Sequence, residues 1–204
     1  MTPVSSKQKL DDLLDGAIDR EDFDQLVELI YESYNMVDTT HDRAKEMIVS
    51  LEAGGEDDPE TAEKAGILLV AMGEYNEAVD VLENVSNRKT AAHFLGRALL
   101  KLHREEQAIK HLEKGRSGKN DIETDVLLID AHCGLRNFDE AEEIAAGLAG
   151  DTPDEIYARA RVADLFGEYG KAVQLYEQVL EEEPNHARAL FQLAVCCDLN
   201  GENK

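Results

Sequence analysis

The feature that most constrains this fold is a segment that recurs along the chain. Residues 167–186 read GEYGKAVQLYEQVLEEEPNH and residues 73–85 read GEYNEAVDVLENV, with glycine, tyrosine and alanine in one register. Two weaker copies, LHREEQAIKHLEKG and LRNFDEAEEIAAGLA, lie between them. The alanine that all four copies share recurs at steps of 30, 33 and 31 residues, at Ala78, Ala108, Ala141 and Ala172. A period in this range is typical of a solenoid of stacked repeats.

Apolar residues recur at spacings of three and four through most of the chain, which is the pattern of amphipathic helices. Helices are expected within residues 5–19, 21–34 and 41–53. Asp58 then suits an N-cap, and Pro59 suits the first helical position. The helices that follow are predicted at 59–72, 75–85, 89–102, 105–115, 121–134, 138–149, 153–166, 169–182 and 187–199. No segment of the sequence alternates every two residues as a half-buried strand does, so the predicted fold class is all-α.

Composition limits the partners. Asp and Glu number 44 against 21 Lys and Arg, which gives a net charge of −23. A field of this sign repels phosphate backbones and anionic lipid head groups, so direct binding to nucleic acid or to a membrane is not expected. No run approaches the roughly 20 apolar residues that span a bilayer, and the N-terminus lacks the apolar core of a signal peptide. We therefore expect a cytoplasmic protein.

The repeated segments resemble a tetratricopeptide repeat array. In residues 89–118, Ala92, Leu95, Gly96 and Leu99 match the first helix of that repeat, and Ala108 matches the second. The resemblance implies a right-handed superhelical solenoid of antiparallel helix pairs. It places about four full repeats and the first helix of another in residues 59–204. Residues 1–58 are then N-terminal helices that form a degenerate repeat or a cap.

The resemblance also implies a binding surface, because the first helix of each pair lines the concave face in this family. Some relatives clamp a chaperone carboxylate there, but Glu63 and Ile67 stand at matching positions and disfavour such a clamp. A basic stripe with i, i+4 and i+8 spacing is expected to face the groove instead. Three residues later in the sequence are expected to face the same groove. These candidate partner-binding residues are His93, Arg97, Lys101, Tyr157, Arg161 and Phe191. A second interpretation is that Arg97 and Lys101 only balance neighbouring acids such as Asp130.

Sequence motifs of catalysis and of metal binding are missing. The six histidines are scattered, and none has the His-x-x-x-His spacing of a metal site on a helix. Gly-x-Gly-x-x-Gly, the P-loop and Gly-x-Ser-x-Gly are absent as well. Cys133, Cys196 and Cys197 form no Cys-x-x-Cys pair and fit reduced core residues. No enzymatic activity, catalytic residue, cofactor or metal is predicted.

The predicted function is a non-enzymatic scaffold, part of a larger protein, whose groove holds a peptide or partner segment with an acidic or carboxylate-bearing part. One alternative is self-association. Gly201 takes the turn position of Gly73 and Gly167, yet only three residues follow it, so the last pair would lack its second helix. Such a truncated array would leave an apolar stripe uncovered and favour a weak homodimer. The residues of that stripe are Leu190, Leu193, Ala194 and Cys197.

A second alternative comes from three segments, LEAGGEDDPETAEKAGILLVAMGEYNEAV, AAHFLGRALL and PNHARALFQLA. Together they resemble the N-terminal array of bacterial proteins that end in a domain like the C-terminal domain of the RNA polymerase α subunit. This resemblance implies a docking region of a transcription-associated protein.

Overall fold

The computed structural model describes residues 5–31, 34–54, 58–118, 121–148, 150–199 and 201. Within these residues the chain forms twelve α-helices and no strand, which confirms the all-α prediction. The helices are α1 Ser6–Asp15, α2 Arg20–Tyr31, α3 Tyr34–Gly54, α4 Pro59–Met72, α5 Tyr75–Glu83, α6 Lys89–Lys101, α7 Glu105–Gly115, α8 Ile122–Gly134, α9 Phe138–Ala145, α10 Pro153–Leu165, α11 Tyr169–Glu182 and α12 Ala187–Leu199. None of these described helices combines the length and apolarity needed to cross a bilayer.

Two helices differ clearly from their predicted bounds. The helix α3 begins at residue 34 instead of 41, because the hydroxyl groups of Thr39 and Thr40 donate to the carbonyls of Asn35 and Met36 at 2.8 and 2.7 Å. Threonine is tolerated inside a helix when its hydroxyl bonds back in this way. The helix α9 ends at residue 145 instead of 149. Gly147 disfavours further helix there, and its N–H closes a tight turn onto Ile144 at 3.0 Å.

The chain divides into two compact units. Residues 1–117 form the N-terminal unit, with α1 to α7, and residues 118–204 form the C-terminal unit, with α8 to α12. Each unit is described by itself below. The partition at residue 59, which rests on the repeat pattern, stays a prediction.

The helix pairs cross where the repeat predicts. All four register alanines, Ala78, Ala108, Ala141 and Ala172, are fully buried, which confirms the expected register. In the N-terminal unit two crossings leave no room for a side chain larger than that of glycine. A Cβ on Gly66 would lie 2.4 Å from the side chain of Leu82, and one on Gly96 would lie 2.6 Å from Leu112. The small residues therefore set the distance between the paired helices.

The turn inside each pair has a left-handed residue five positions before the register alanine. Gly73 and Gly167 have φ angles of 83° and 75°, and Gly201, after α12, has 73°. At the two remaining turns the residues are His103, with φ 55°, and Arg136, with φ 60°. In all four pairs the next residue donates its N–H to a carbonyl five positions earlier, at 2.8–2.9 Å, as in a Schellman motif. The predicted unfinished pair depends on residues 202–204, which lie outside the described residues.

Candidate partner-binding surface

The six predicted contact residues are distributed over both units. His93, Arg97 and Lys101 lie on α6 in the N-terminal unit. Tyr157 and Arg161 lie on α10 in the C-terminal unit. Phe191 lies on α12 of that same unit. Their union in one continuous groove stays a prediction.

His93 is fully buried and does not belong to a surface stripe. Its ring packs edge-on against Phe94 with centroids 5.3 Å apart, and a Cβ on Gly115 of α7 would lie 2.5 Å from its backbone nitrogen. Each step of four residues advances about 40° around a helix, so His93 and Lys101 point about 80° apart. His93, the first residue of the i, i+4, i+8 pattern, therefore faces α7.

Arg97 and Lys101 have different environments. Arg97 is half-buried, and its guanidinium carbon lies 4.6 Å from the ring centroid of Phe23 on α2. This is the geometry of a cation–π contact. Lys101, at the end of α6, is exposed. Arg97 therefore packs against α2, a helix of the same unit.

Arg161 is held by acidic side chains of the C-terminal unit. Its guanidinium lies 2.6 Å from the Asp164 carboxylate on the same helix and 3.2 Å from Asp130 on α8. Burial alone would lower the pKa of Arg161, but Asp130, Tyr176, Tyr157 and Asp164 together outweigh the effect of burial, and the pKa is raised. Arg161 therefore stays charged. Asp130, which the sequence suggested as a counter-charge to Arg97 and Lys101, is paired here with Arg161.

Tyr157 packs between α11 and the start of α12. Its ring centroid lies 5.8 Å from that of Tyr176 and 5.0 Å from that of His186. The guanidinium of Arg188, an exposed residue, lies 5.6 Å from the Tyr157 centroid. His186 is fixed in turn, because its Nδ1 accepts the Ala189 N–H at 3.0 Å. These contacts orient one face of Tyr157 towards a cation.

Phe191 provides an exposed aromatic side chain beside this cluster. It follows Arg188 by three residues, so the two share one side of α12. Its relative exposure is 67%, although phenylalanine is usually buried. Tyr157, Arg161, Arg188 and Phe191 are called the α10–α12 surface below. Sequence reasoning missed Arg188, although its place three residues before Phe191 could have indicated it.

Two cysteines of this unit, Cys133 and Cys196, have raised thiol pKa values. Burial raises the pKa of the Cys196 thiol to about 12, so the thiol stays protonated and weakly nucleophilic at neutral pH. Burial also raises the pKa of Cys133. Across the ranges that the structure describes, no group of three His, Cys, Asp or Glu side chains is placed to hold a metal ion.

The sequence model of the tetratricopeptide repeat family matches residues 166–204. The match begins at the turn before α11 and includes α12. It supports the repeat seen in the sequence, but nothing matched supports the resemblance to proteins with an RNA polymerase α-like domain. No curated protein sequence matches the chain.

Tetratricopeptide repeats generally mediate protein–protein interactions, and an all-helical repeat fold is typically a non-enzymatic interaction module. Two of the four residues of the α10–α12 surface, Arg188 and Phe191, lie inside the matched segment. Tyr157 and Arg161 lie on the helix that immediately precedes it.

Proposed function

We propose that the chain is a scaffold that binds a segment of another protein on the α10–α12 surface. The observation that carries this proposal is Phe191, which is 67% exposed beside an arginine that covers Tyr157. Aromatic and arginine side chains contribute most of the binding energy at many protein interfaces. A surface that presents both an aromatic side chain and an arginine, on a strongly acidic chain, is a candidate site for specific binding to another protein.

The residues of the surface have separate roles in this proposal. Phe191 packs against an apolar side chain of the partner. Arg188 pairs with a carboxylate of the same segment, which fits a partner with an acidic or carboxylate-bearing part. Arg161 has two carboxylates within 3.2 Å, so it holds Asp130 and Asp164 in place. The charged part of the interaction should weaken as salt rises.

The test compares full-length baits that differ at single positions. Proteins from the source cells that bind the wild-type chain are quantified by mass spectrometry beside those that bind Phe191→Ala and Arg188→Glu. We expect the specific partner to be lost from both variants, and its purified segment to bind Phe191→Ala about thirtyfold more weakly. Controls are Val49→Ala, an exposed apolar residue on α3, and Lys171→Glu, an exposed lysine on α11. Equal capture by all five folded baits would refute the surface.

A second candidate function is self-association through α12. Leu190 and Ala194 are exposed on this helix, and Leu193 and Cys197 are half-buried. Sedimentation equilibrium over a concentration series tests it. A dimer that Leu190→Lys abolishes while partner capture persists supports self-association, and a monomer at every concentration excludes it. A role in transcription, a cytoplasmic location and further domains remain predictions, and the identity of the captured partner bears on the first of these.

A further inference from the structure

The central part of α6 is buried almost all the way around the helix. All residues from 91 to 99 are buried except Arg97, which is half-buried. Gly96 marks the side of α6 that faces α7, because a Cβ there would contact Leu112. Phe94 lies about 160° around the helix from Gly96 and is also fully buried. A different element must therefore cover that side.

The helices α4 and α5 pack on α6, and α2 adds a further contact at Phe94. The Phe23 ring lies with its centroid 4.8 Å from that of Phe94, and Arg97 stands over it at 4.6 Å. Phe23 is thus held between an aromatic ring and a guanidinium, and it is almost fully buried. Such a residue is an anchor in the sense used for protein interfaces.

A second contact fixes the start of α2. The Arg20 guanidinium donates to the carbonyl of Gly115, the last residue of α7, at 2.6 Å. The C-terminal carbonyls of a helix lack partners within the helix, and a cation there is favourable. Since α2 also packs against α4, one N-terminal helix contacts both α4 and the α6–α7 pair.

This reach distinguishes α2 from an ordinary repeat helix. In a stacked array each repeat contacts only its immediate neighbours, so a helix of the preceding repeat would contact α4 and stop there. The helix α2 instead extends past α4 to α6 and to the end of α7. Phe23, Leu26 and Ile30 are all buried and have the i, i+3, i+7 spacing of a helix bound in a groove, and α2 packs against α1 and α3 as well as α4.

We propose that α2 occupies a helix-binding site formed by α4, α6 and α7. The partner that this site fits is an amphipathic helix with an arginine and an aromatic residue three positions later. Aliphatic residues follow the aromatic residue at three and seven positions. The inference goes beyond the proposed function, because it concerns the N-terminal unit and none of the α10–α12 surface residues. Binding of a partner helix requires that α2 leave, so the apparent affinity depends on how firmly Phe23 is held.

The test uses a fluorescent peptide of residues 5–31 and the full-length chain. We expect the peptide to bind the Phe23→Ala chain at least about tenfold more tightly than the wild-type chain, because the weakened α2 competes less well. A peptide that carries Phe23→Ala should bind both chains more weakly. The matched control is Tyr31→Ala, on the same helix but 62% exposed, which should bind the peptide as the wild type does.

Other outcomes overturn the proposal. Equal binding to a folded Phe23→Ala chain and to the wild type would show that α2 is a fixed layer of the fold. A dimer of Phe23→Ala in light scattering would show exchange of α2 between two copies instead of a separate partner. If the Phe23→Ala chain does not fold, hydrogen exchange of the wild-type chain shows whether α2 can leave its site independently. Exchange of α2 before α6 and α7 supports a displaceable helix, and exchange of all three together refutes it.

Discussion

The first helices of the repeat pairs are covered in the N-terminal unit and partly open in the C-terminal unit. On α6 every residue from 91 to 99 except the half-buried Arg97 is buried, and α2 adds a contact beyond those with α4, α5 and α7. On α10 buried residues alternate with half-exposed ones, and α12 leaves Phe191 in solvent. The same repeat pattern therefore produces a closed face or an open face, depending on what the rest of the chain places on it.

Buried charged residues occur in both units. In the N-terminal unit the buried Glu63 of α4 accepts the Ala91 N–H at 2.9 Å and pairs with Arg88 at 2.7 Å. No side chain at the N-cap of α6 does this, so Glu63 caps α6 from the preceding pair. In the C-terminal unit Arg161 and Asp130 form a polar pair at an accessible face. The same unit also buries Asp121, which caps α8 by accepting the Thr124 N–H, and Asp125, so both units use buried charge for structure.

The largest expected effect that tests the contrast between the two units comes from Glu63→Ala. It leaves the Ala91 N–H and the Arg88 guanidinium without their acceptor, at a cost of about 2–4 kcal/mol, reduced because Arg88 is partly exposed. Urea unfolding and amide exchange at the start of α6 measure it. The control is Glu60→Ala, whose carboxylate is exposed and whose i,i+4 pair with Lys64 should contribute less than about 1 kcal/mol. Equal losses in the two variants would show that α6 does not need its cap.

The close crossing in the N-terminal unit gives the second prediction. In Gly96→Ala the new methyl would lie 2.6 Å from Leu112 Cγ and 3.1 Å from the Leu112 backbone nitrogen. We expect a loss of about 1–3 kcal/mol, although alanine is the better helix former by about 1 kcal/mol. At the same register position in the C-terminal unit, Ala160→Gly should also destabilise, by about 1 kcal/mol. Thermal unfolding that shows Gly96→Ala to be stabilising would contradict the close crossing.

The turns inside the pairs should behave alike in both units. His103→Gly in the N-terminal unit and Arg136→Gly in the C-terminal unit each relieve a left-handed backbone, and each should stabilise by about 1 kcal/mol. Gly73→Ala and Gly167→Ala should each destabilise by about 1–2 kcal/mol. A methyl at either glycine would meet no atom closer than 3.9 Å, so backbone strain alone is measured. A large difference between the units would mean that their turns are not equivalent.

The helix pairs could be predicted from sequence because their signals are local. Turn residues and the register alanines fix where α4 to α8 and α10 to α12 begin, and these starts agree with the prediction within one residue. The early start of α3 could not be predicted in this way. Thr39 and Thr40 suggest a loop until their hydroxyl groups are seen to bond back to the helix.

The candidate site was predictable only in part. Tyr157, Arg161 and Phe191 were placed by register, and each has some exposure in the C-terminal unit. The burial of His93 was missed because a four-residue step drifts around the helix. The cover over Phe94 was missed because Phe23 is distant in sequence, and periodicity carries no information about such contacts.

The smallest expected effect concerns the caps of α4 and α10, one in each unit. Both helices begin with proline, but their caps use different chemistry. Asp58 is itself the acceptor for the N–H groups of Glu60 and Thr61, at 3.1 and 3.2 Å. At α10 the acceptor is the Thr152 hydroxyl, which does not titrate, and the Glu155 carboxylate accepts the Thr152 N–H in return.

The Glu155 carboxylate also titrates, and its pKa is lowered by the hydrogen bonds from the Thr152 hydroxyl and N–H. The group that accepts the helix N–H titrates only at α4, however, so acid should weaken that acceptor more at α4 than at α10. The hydrogen bond from the Thr61 hydroxyl, followed by that from its N–H, lowers the pKa of Asp58 below its ordinary value of 3.8. A lowered folded-state pKa means that this contribution is complete above the ordinary value and is lost as pH falls through the folded-state value. We expect amide protection at Glu60 and Thr61, corrected for intrinsic exchange, to fall below about pH 4 while protection at Glu155 changes less. Asp58→Asn keeps an oxygen acceptor that does not titrate, so it should remove the pH dependence at α4. Equal losses at both helix starts would show that the titrating acceptor of Asp58 does not distinguish the two caps.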